Sequence, residues 1–224
     1  MKYLLFIIFI LVSSTSGFTQ KQEVDLEQIH YKNLRKSLLK TKLHLAENIH
    51  KLIPTCPNLE DTNYSFHTTT FYYEQSIDSV WNAYKMINPT DAWKGKITHF
   101  GFAFNRKNGN FLYQEEAFEG LKEGQIQFLY LKYFGGLFKL NIAHELIRLD
   151  EESKEMQFCY LKYGKSQGTQ IITLETIGNL TKVTHNTYYK SESKFRDKRI
   201  YPYFHQKTIQ ELHANVGDLL EMSR

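Results

Sequence analysis

The hydrophobic positions of this chain change period twice. From Asp25 to Leu52 the apolar residues Leu26, Ile29, Leu34, Leu38, Leu39, Leu45, Ile49 and Leu52 recur at spacings of three, four and seven, with Lys, Arg, Glu and Asn between them. That is one apolar stripe on an amphipathic helix, with room for one break, and such a stripe most simply covers the outside of a sheet. Pro54 and Pro57 end it, and 56–63 reads as a linker loop. Ser65–Gln75 is rich in Thr, Phe and Tyr and reads as a strand. A short helix follows, capped near Ser76, with Ile77, Val80, Trp81 and Tyr84 on one face and a stop at Asn88-Pro89-Thr90-Asp91.

The period then shortens to two for about ninety residues. Candidate strands are Thr98–Arg106, Asn110–Phe118, Gln125–Phe134, Phe138–Asp150, Glu155–Tyr163, Thr169–Ile177 and Thr181–Lys190, separated by short Gly- and Asn-bearing turns. No helical pattern intervenes, so antiparallel hairpins are predicted and βαβ units are excluded. The helical period returns from Pro202 to Met222, where Ile209, Leu212, Val216, Leu219 and Leu220 form the stripe.

This order resembles the START-like helix-grip superfamily (SRPBCC). The likeness is carried by Phe71-Tyr-Tyr-Glu-Gln-Ser-Ile-Asp-Ser-Val-Trp81 and by the strand-to-helix passage Val183–Leu220. It implies an α+β fold in which a curved antiparallel sheet of about six to seven strands grips the C-terminal helix. The helix-grip domain would span 64–224, with an N-terminal helix and linker over 20–63 outside it. It also implies a cavity between sheet and helix. Members bind lipids, sterols or polyketides, and some are cyclases or hydrolases, so the fold alone does not choose a function.

The N-terminus adds an address. Lys2, ten apolar residues from Tyr3 to Val12 and the small residues of 13–17 form the pattern of a cleavable export signal over 1–19. Ten residues reach only about 15 Å as a helix, half of a bilayer core, so no stable membrane span is expected after cleavage. A periplasmic or extracellular location follows as the expectation, and with it no nicotinamide or other cofactor. In that setting Cys56 and Cys159 either bond to each other or leave Cys159 as a small core residue. The net charge of +4 is mild and its basic residues are interspersed with acids, which argues against nucleic acid.

Aromatic residues make up 15% of the chain, enough for either a lined pocket or a solid aromatic core. The candidate ligand-binding residues are Phe102, Tyr113 and Tyr130 on strands, His185 on the last strand, Arg196 and Tyr201 before the final helix, and His205 within it. Arg196 belongs to a basic-aromatic stretch, 190–205, suited to an anionic group. His205 and His213 flank the buried stripe, and His185 is placed to approach them. The histidines lack the tight spacing of a metal site. Glu115, Glu145 and Glu175 are candidate acids or bases if they face inward. The function expected is an exported binding protein for a hydrophobic or amphipathic small molecule. The alternatives are a cyclase or hydrolase using an inward Glu or His, and an envelope protein that contacts a protein partner through its N-terminal helix.

Overall fold

The computed structural model describes residues 22–163 and 166–222, so the predicted export signal lies outside the described residues. Two short helices, α1 (Lys32–Thr41) and α2 (Ala46–His50), precede the first strand β1 (Ser65–Tyr73). The helical stretch expected over 25–52 is thus broken, at Lys42, whose φ of 58° ends α1 in a left-handed cap. After β1 come α3 (Ile77–Met86) and α4 (Pro89–Ala92), capped by the side chains of Ser76 and Asn88. The strands β2 (Thr98–Asn105), β3 (Phe111–Leu112), β4 (Gln125–Tyr133), β5 (Phe138–Asp150), β6 (Glu155–Tyr160), β7 (Gln167–Ile177) and β8 (Leu180–Lys190) follow. A five-residue π-helical turn, Arg196–Ile200, leads into α5 (Tyr201–Met222).

All eight strands form one antiparallel sheet in the order β1-β8-β7-β6-β5-β4-β2-β3. The middle is a meander, but β1 pairs with β8 along its whole length, so the first and last strands are neighbours. The strand expected over Asn110–Phe118 shrinks to Phe111–Leu112. The chain turns there, with Glu115 at φ 70° and the Glu116 carboxylate accepting from the Tyr113 amide at 2.8 Å.

The middle of the sheet, around β2, β4 and β5, is buried on both faces, while β1 and β8 bury one. One face packs with α3, α4 and α5 around Trp81, Phe100, Leu129, Leu146, Val183 and Val216. The other carries Phe102, Phe104, Ile126 and Phe128, which are covered by Leu34, Leu38 and Ile49 of the N-terminal segment. Leu34, Leu38 and Ile49 of the apolar stripe are therefore buried against the sheet, Leu39 stays exposed, and the N-terminal helices share a core with the strands.

Three ties hold this outer layer. The Arg106 guanidinium pairs through Nε with both Glu145 oxygens, at 2.8 and 2.9 Å, and its remaining nitrogens donate to the carbonyls of Ile49, His50 and Leu52. The Asp25 amide donates to the Tyr113 hydroxyl at 2.7 Å. Cys56 and Cys159 form a disulfide, joining the linker to β6. On the other face α5 is fixed through Glu211, whose carboxylate accepts from the amides of Lys96, Ile97 and Thr98 at 2.8–3.2 Å.

Candidate ligand-binding site

Between the sheet and the first turns of α5 lies a cavity of about 490 Å³, within the few-hundred to thousand Å³ range of small-molecule sites. Leu131 and Tyr133 come from β4, Ile142 and His144 from β5, and Thr208 and Ile209 from α5. Its mouth reaches the surface beside Phe134, Phe138 and Ile200, which are all exposed. Arg196 stands at the same wall, its Nη2 donating to the Ser166 hydroxyl at 2.5 Å. No Asp or Glu lines the cavity among the described residues.

The deep wall is aromatic and polar. The Tyr160 and Tyr201 hydroxyls bond at 2.7 Å, and Tyr201 stacks on Tyr189 at 3.7 Å between centroids and on His205 at 5.1 Å. Burial raises the ionisation of both phenols well above the ordinary tyrosine value, and that of Tyr133 to about 12, so all three are neutral hydroxyls. Tyr133 bonds the Thr208 hydroxyl at 2.7 Å.

Behind this wall runs a buried chain of imidazoles. Gln170 Oε1 meets Nε2 of His205 at 3.1 Å and Nε2 of His185 at 3.0 Å. His185 Nδ1 meets His213 Nε2 at 2.9 Å, and His213 Nδ1 is bonded to the Tyr84 hydroxyl. Across the cavity, Gln127 Oε1 accepts from Trp93 Nε1 at 2.8 Å and meets His144 Nε2 at 3.2 Å. Burial in apolar surroundings lowers His144 to about 4 and His213 to about 3, and takes His185 and His205 well below the ordinary histidine value. All four are neutral at pH 7.

Of the seven residues expected at a ligand, Arg196, Tyr201 and His205 line this cavity. His185 sits behind them, in contact with the same Gln170. Phe102, Tyr113 and Tyr130 lie instead on the opposite face: Phe102 and Tyr113 are in the outer core, and Tyr130 stacks on Tyr31 and His99. A bulge explains Phe102. The β2–β4 register shifts between Phe100 and Phe102, so residues two apart fall on opposite faces. The three glutamates are also elsewhere. Glu145 is held by Arg106 on the outer face, Glu175 is exposed and pairs with Lys182, and Glu115 forms the turn after β3.

Sequence reasoning missed Tyr133, His144, Tyr160, Gln170 and Thr208 as cavity residues. For Tyr133 a signal existed, since it shares parity with Leu129 and Leu131, which face α5. For His144 and Gln170 there was none, as both sit in strands buried on two sides.

The sheet, its grip on α5 and the cavity between them make a helix-grip fold. Norcoclaurine synthase from Thalictrum flavum, in a point-mutant complex with a transition-state analogue, superposes with a TM-score of 0.53 at 13% identity, covering 71% of this chain and 96% of that one. A Mycobacterium smegmatis protein gives 0.51 at 13% identity, covering 77% and 99%. No protein-family model and no curated protein sequence matches the chain. Identities this low establish the shared fold and leave the chemistry to the site's own residues.

Proposed function

We propose that this chain is an exported protein that binds a hydrophobic or amphipathic small molecule between the sheet and α5 without changing it. The cavity carries the reading: about 490 Å³ of space with an exposed aromatic mouth. That this fold can hold small aromatic molecules is supported by the Thalictrum synthase, also solved with dopamine and hydroxybenzaldehyde, which superposes at a TM-score of 0.51 and 12% identity, covering 77% of this chain and 96% of that one. Export is supported by the signal-like pattern of 1–19 and by the bond between Cys56 and Cys159, which suits an oxidising compartment. A catalytic role for a glutamate finds no carboxylate at the cavity wall among the described residues.

The test is a titration of the purified protein with the fluorescent hydrophobe N-phenyl-1-naphthylamine. Saturable binding at one site is expected, and Leu140→Trp, which fills the cavity from β5, should abolish it while leaving the thermal midpoint nearly unchanged. Absence of saturable binding to the wild type, or binding that Leu140→Trp leaves intact, would sink the proposal.

A further inference from the structure

Large apolar side chains gather in water on two segments that meet at the mouth of the cavity. Phe134, Leu137 and Phe138 stand at the hairpin between β4 and β5, exposed at 59%, 84% and 64%. Phe195, Ile200 and Tyr203 stand on the passage into α5 and are exposed as well. Ring contacts carry the surface from one segment to the other. Phe138 meets Phe134 at 6.0 Å between centroids, Phe134 meets Phe204 at 5.6 Å, and Phe204 meets Tyr203 at 5.3 Å. The Leu137 amide closes the turn on the Phe134 carbonyl at 3.3 Å, so Leu137 ends the hairpin with its side chain in water. Single exposed apolar residues are ordinary, whereas a contiguous group marks a surface that something covers.

The charges around this group are of one sign. Residues 132–139 and 194–207 hold seven Lys or Arg and one acid, Asp197. Asp197 is buried and accepts from the Ser191 amide and hydroxyl at 2.9 and 2.6 Å, so it offsets little at the surface. Lys132 and Lys139 are cross-strand partners, and both stems lie within 3.5 Å of where a Cβ on Gly136 would stand, which puts them on one side of the hairpin. Lys198 and Arg199 are exposed just before Ile200. Among the described residues none of these four forms a salt bridge.

This combination separates a lipid surface from a protein one. Lysine is depleted where proteins meet, because burying its strongly hydrated ammonium is costly. At a bilayer the same residues are favoured. Apolar side chains pass below the headgroups, while long basic stems keep their charges level with the phosphates.

We propose that this face docks on a bilayer containing anionic phospholipids, with Leu137 inserted and Lys132, Lys139, Lys198 and Arg199 at the phosphates. The cavity mouth, lined by Phe134, Phe138 and Ile200, then opens onto lipid rather than water. The surface stands apart from the binding function proposed above, since Leu137, Tyr203, Lys132, Lys198 and Arg199 do not line the cavity.

Flotation of the purified chain with vesicles tests it, using phosphatidylcholine alone or with phosphatidylglycerol as about a third of the lipid. The anionic vesicles should bind at least about tenfold tighter. Leu137→Ser with Tyr203→Ser should lower that affinity about tenfold. Lys132→Gln with Lys198→Gln and Arg199→Gln should remove most of the preference for anionic lipid. All variants share one N-terminus, so any contribution of the apolar run 3–12 cancels between them. Leu137→Trp gives a direct readout of insertion. Phospholipids brominated on their acyl chains should quench the added indole, while the parent chain, whose Trp81 and Trp93 are buried, stays unquenched. Saturable N-phenyl-1-naphthylamine binding, expected in every variant, shows that each is folded. No vesicle binding, equal binding to both vesicle types, affinities that the substitutions leave unchanged, or no quenching in Leu137→Trp would each overturn the proposal and leave the cavity reading intact. A dimer in vesicle-free solution that Leu137→Ser with Tyr203→Ser dissociates would overturn it too, by making the face an interface between copies. Vesicle binding as expected, without naphthylamine binding by the parent chain, would uphold the docking surface and sink the cavity reading alone.

Discussion

Gly101 sits where β2 bulges and α1 presses on the sheet. A Cβ there would lie 2.3 Å from Leu34 Cδ2 and 2.8 Å from the Phe128 carbonyl oxygen. Gly101→Val should therefore cost about 1–3 kcal/mol by overpacking, read as a lower urea midpoint with unchanged slope. Leu34→Ala should cost less in that chain than in the wild type, because the two sites share the clash. Arg106 is the opposite case, a residue whose removal leaves something behind. Arg106→Met would strand the Glu145 carboxylate, 7% exposed at its side chain, and should cost about 3–5 kcal/mol in the same assay. The sequence offered Glu145 as a candidate acid, and nothing in its strand pattern announced that an arginine 39 positions earlier neutralises it. Local spacing encodes which residues share an element, and long-range pairing lies outside it. The same gap hid the cavity histidine His144, whose hydrogen-bond partner Gln127 comes from β4 and whose ring neighbour Trp93 comes from the end of α4.

Among the elements, β7, β8 and α5 are joined by the imidazole chain, and β4 and β5 by the His144–Gln127 pair. Each of these histidines is held below its ordinary value by burial, so the unfolded chain binds more protons than the folded one in mildly acid solution. Stability is fully present above about pH 6.5 and is lost as the pH falls toward the folded values. For His144, whose folded value is about 4, lowering the pH from 7.5 to 5.5 should cost about 1.4 kcal/mol. Urea midpoints at the two pH values measure the total. His144→Gln should reduce the difference by about that amount, and an unchanged difference would show that His144 does not remain neutral in the fold. The element order itself, from strand and short helix through hairpins to a closing helix, was legible because alternation and the 3.6-residue stripe are local signals. The truncation of the strand at Phe111–Leu112 was not, since the Glu116 carboxylate and Gln114 amide that end it act through the backbone of other residues.

In the whole molecule, one disulfide ties the linker before β1 to β6 across 103 positions. A loop of that length restricts the unfolded chain by about 4–5 kcal/mol in the loop-entropy treatment. Reduction with dithiothreitol, or Cys56→Ser with Cys159→Ser, should lower the thermal midpoint by about 10–15 °C for a domain of this size. A shift within error would mean that the bond adds nothing to stability. The bond and Arg106 both anchor the N-terminal segment, which covers Phe102, Phe104, Ile126 and Phe128. The sheet is consequently a middle layer, with helices on both sides.

By itself the sequence determined the class of fold: periodicity fixed the helices, the run of antiparallel strands and the apolar stripe that α5 buries, because each depends on residues a few positions apart. It also supplied the histidines of α5 and β8 and the arginine before the last helix. Which face each strand presents was decided only by the tertiary structure. A single bulge at Gly101 sent Phe102 away from Phe100 and under α1. The tertiary structure also decided that space remains between the sheet and the first turns of α5. A cavity is a property of how side chains from β4, β5, β6, β7 and α5 fail to meet, and no local pattern along the chain records that failure.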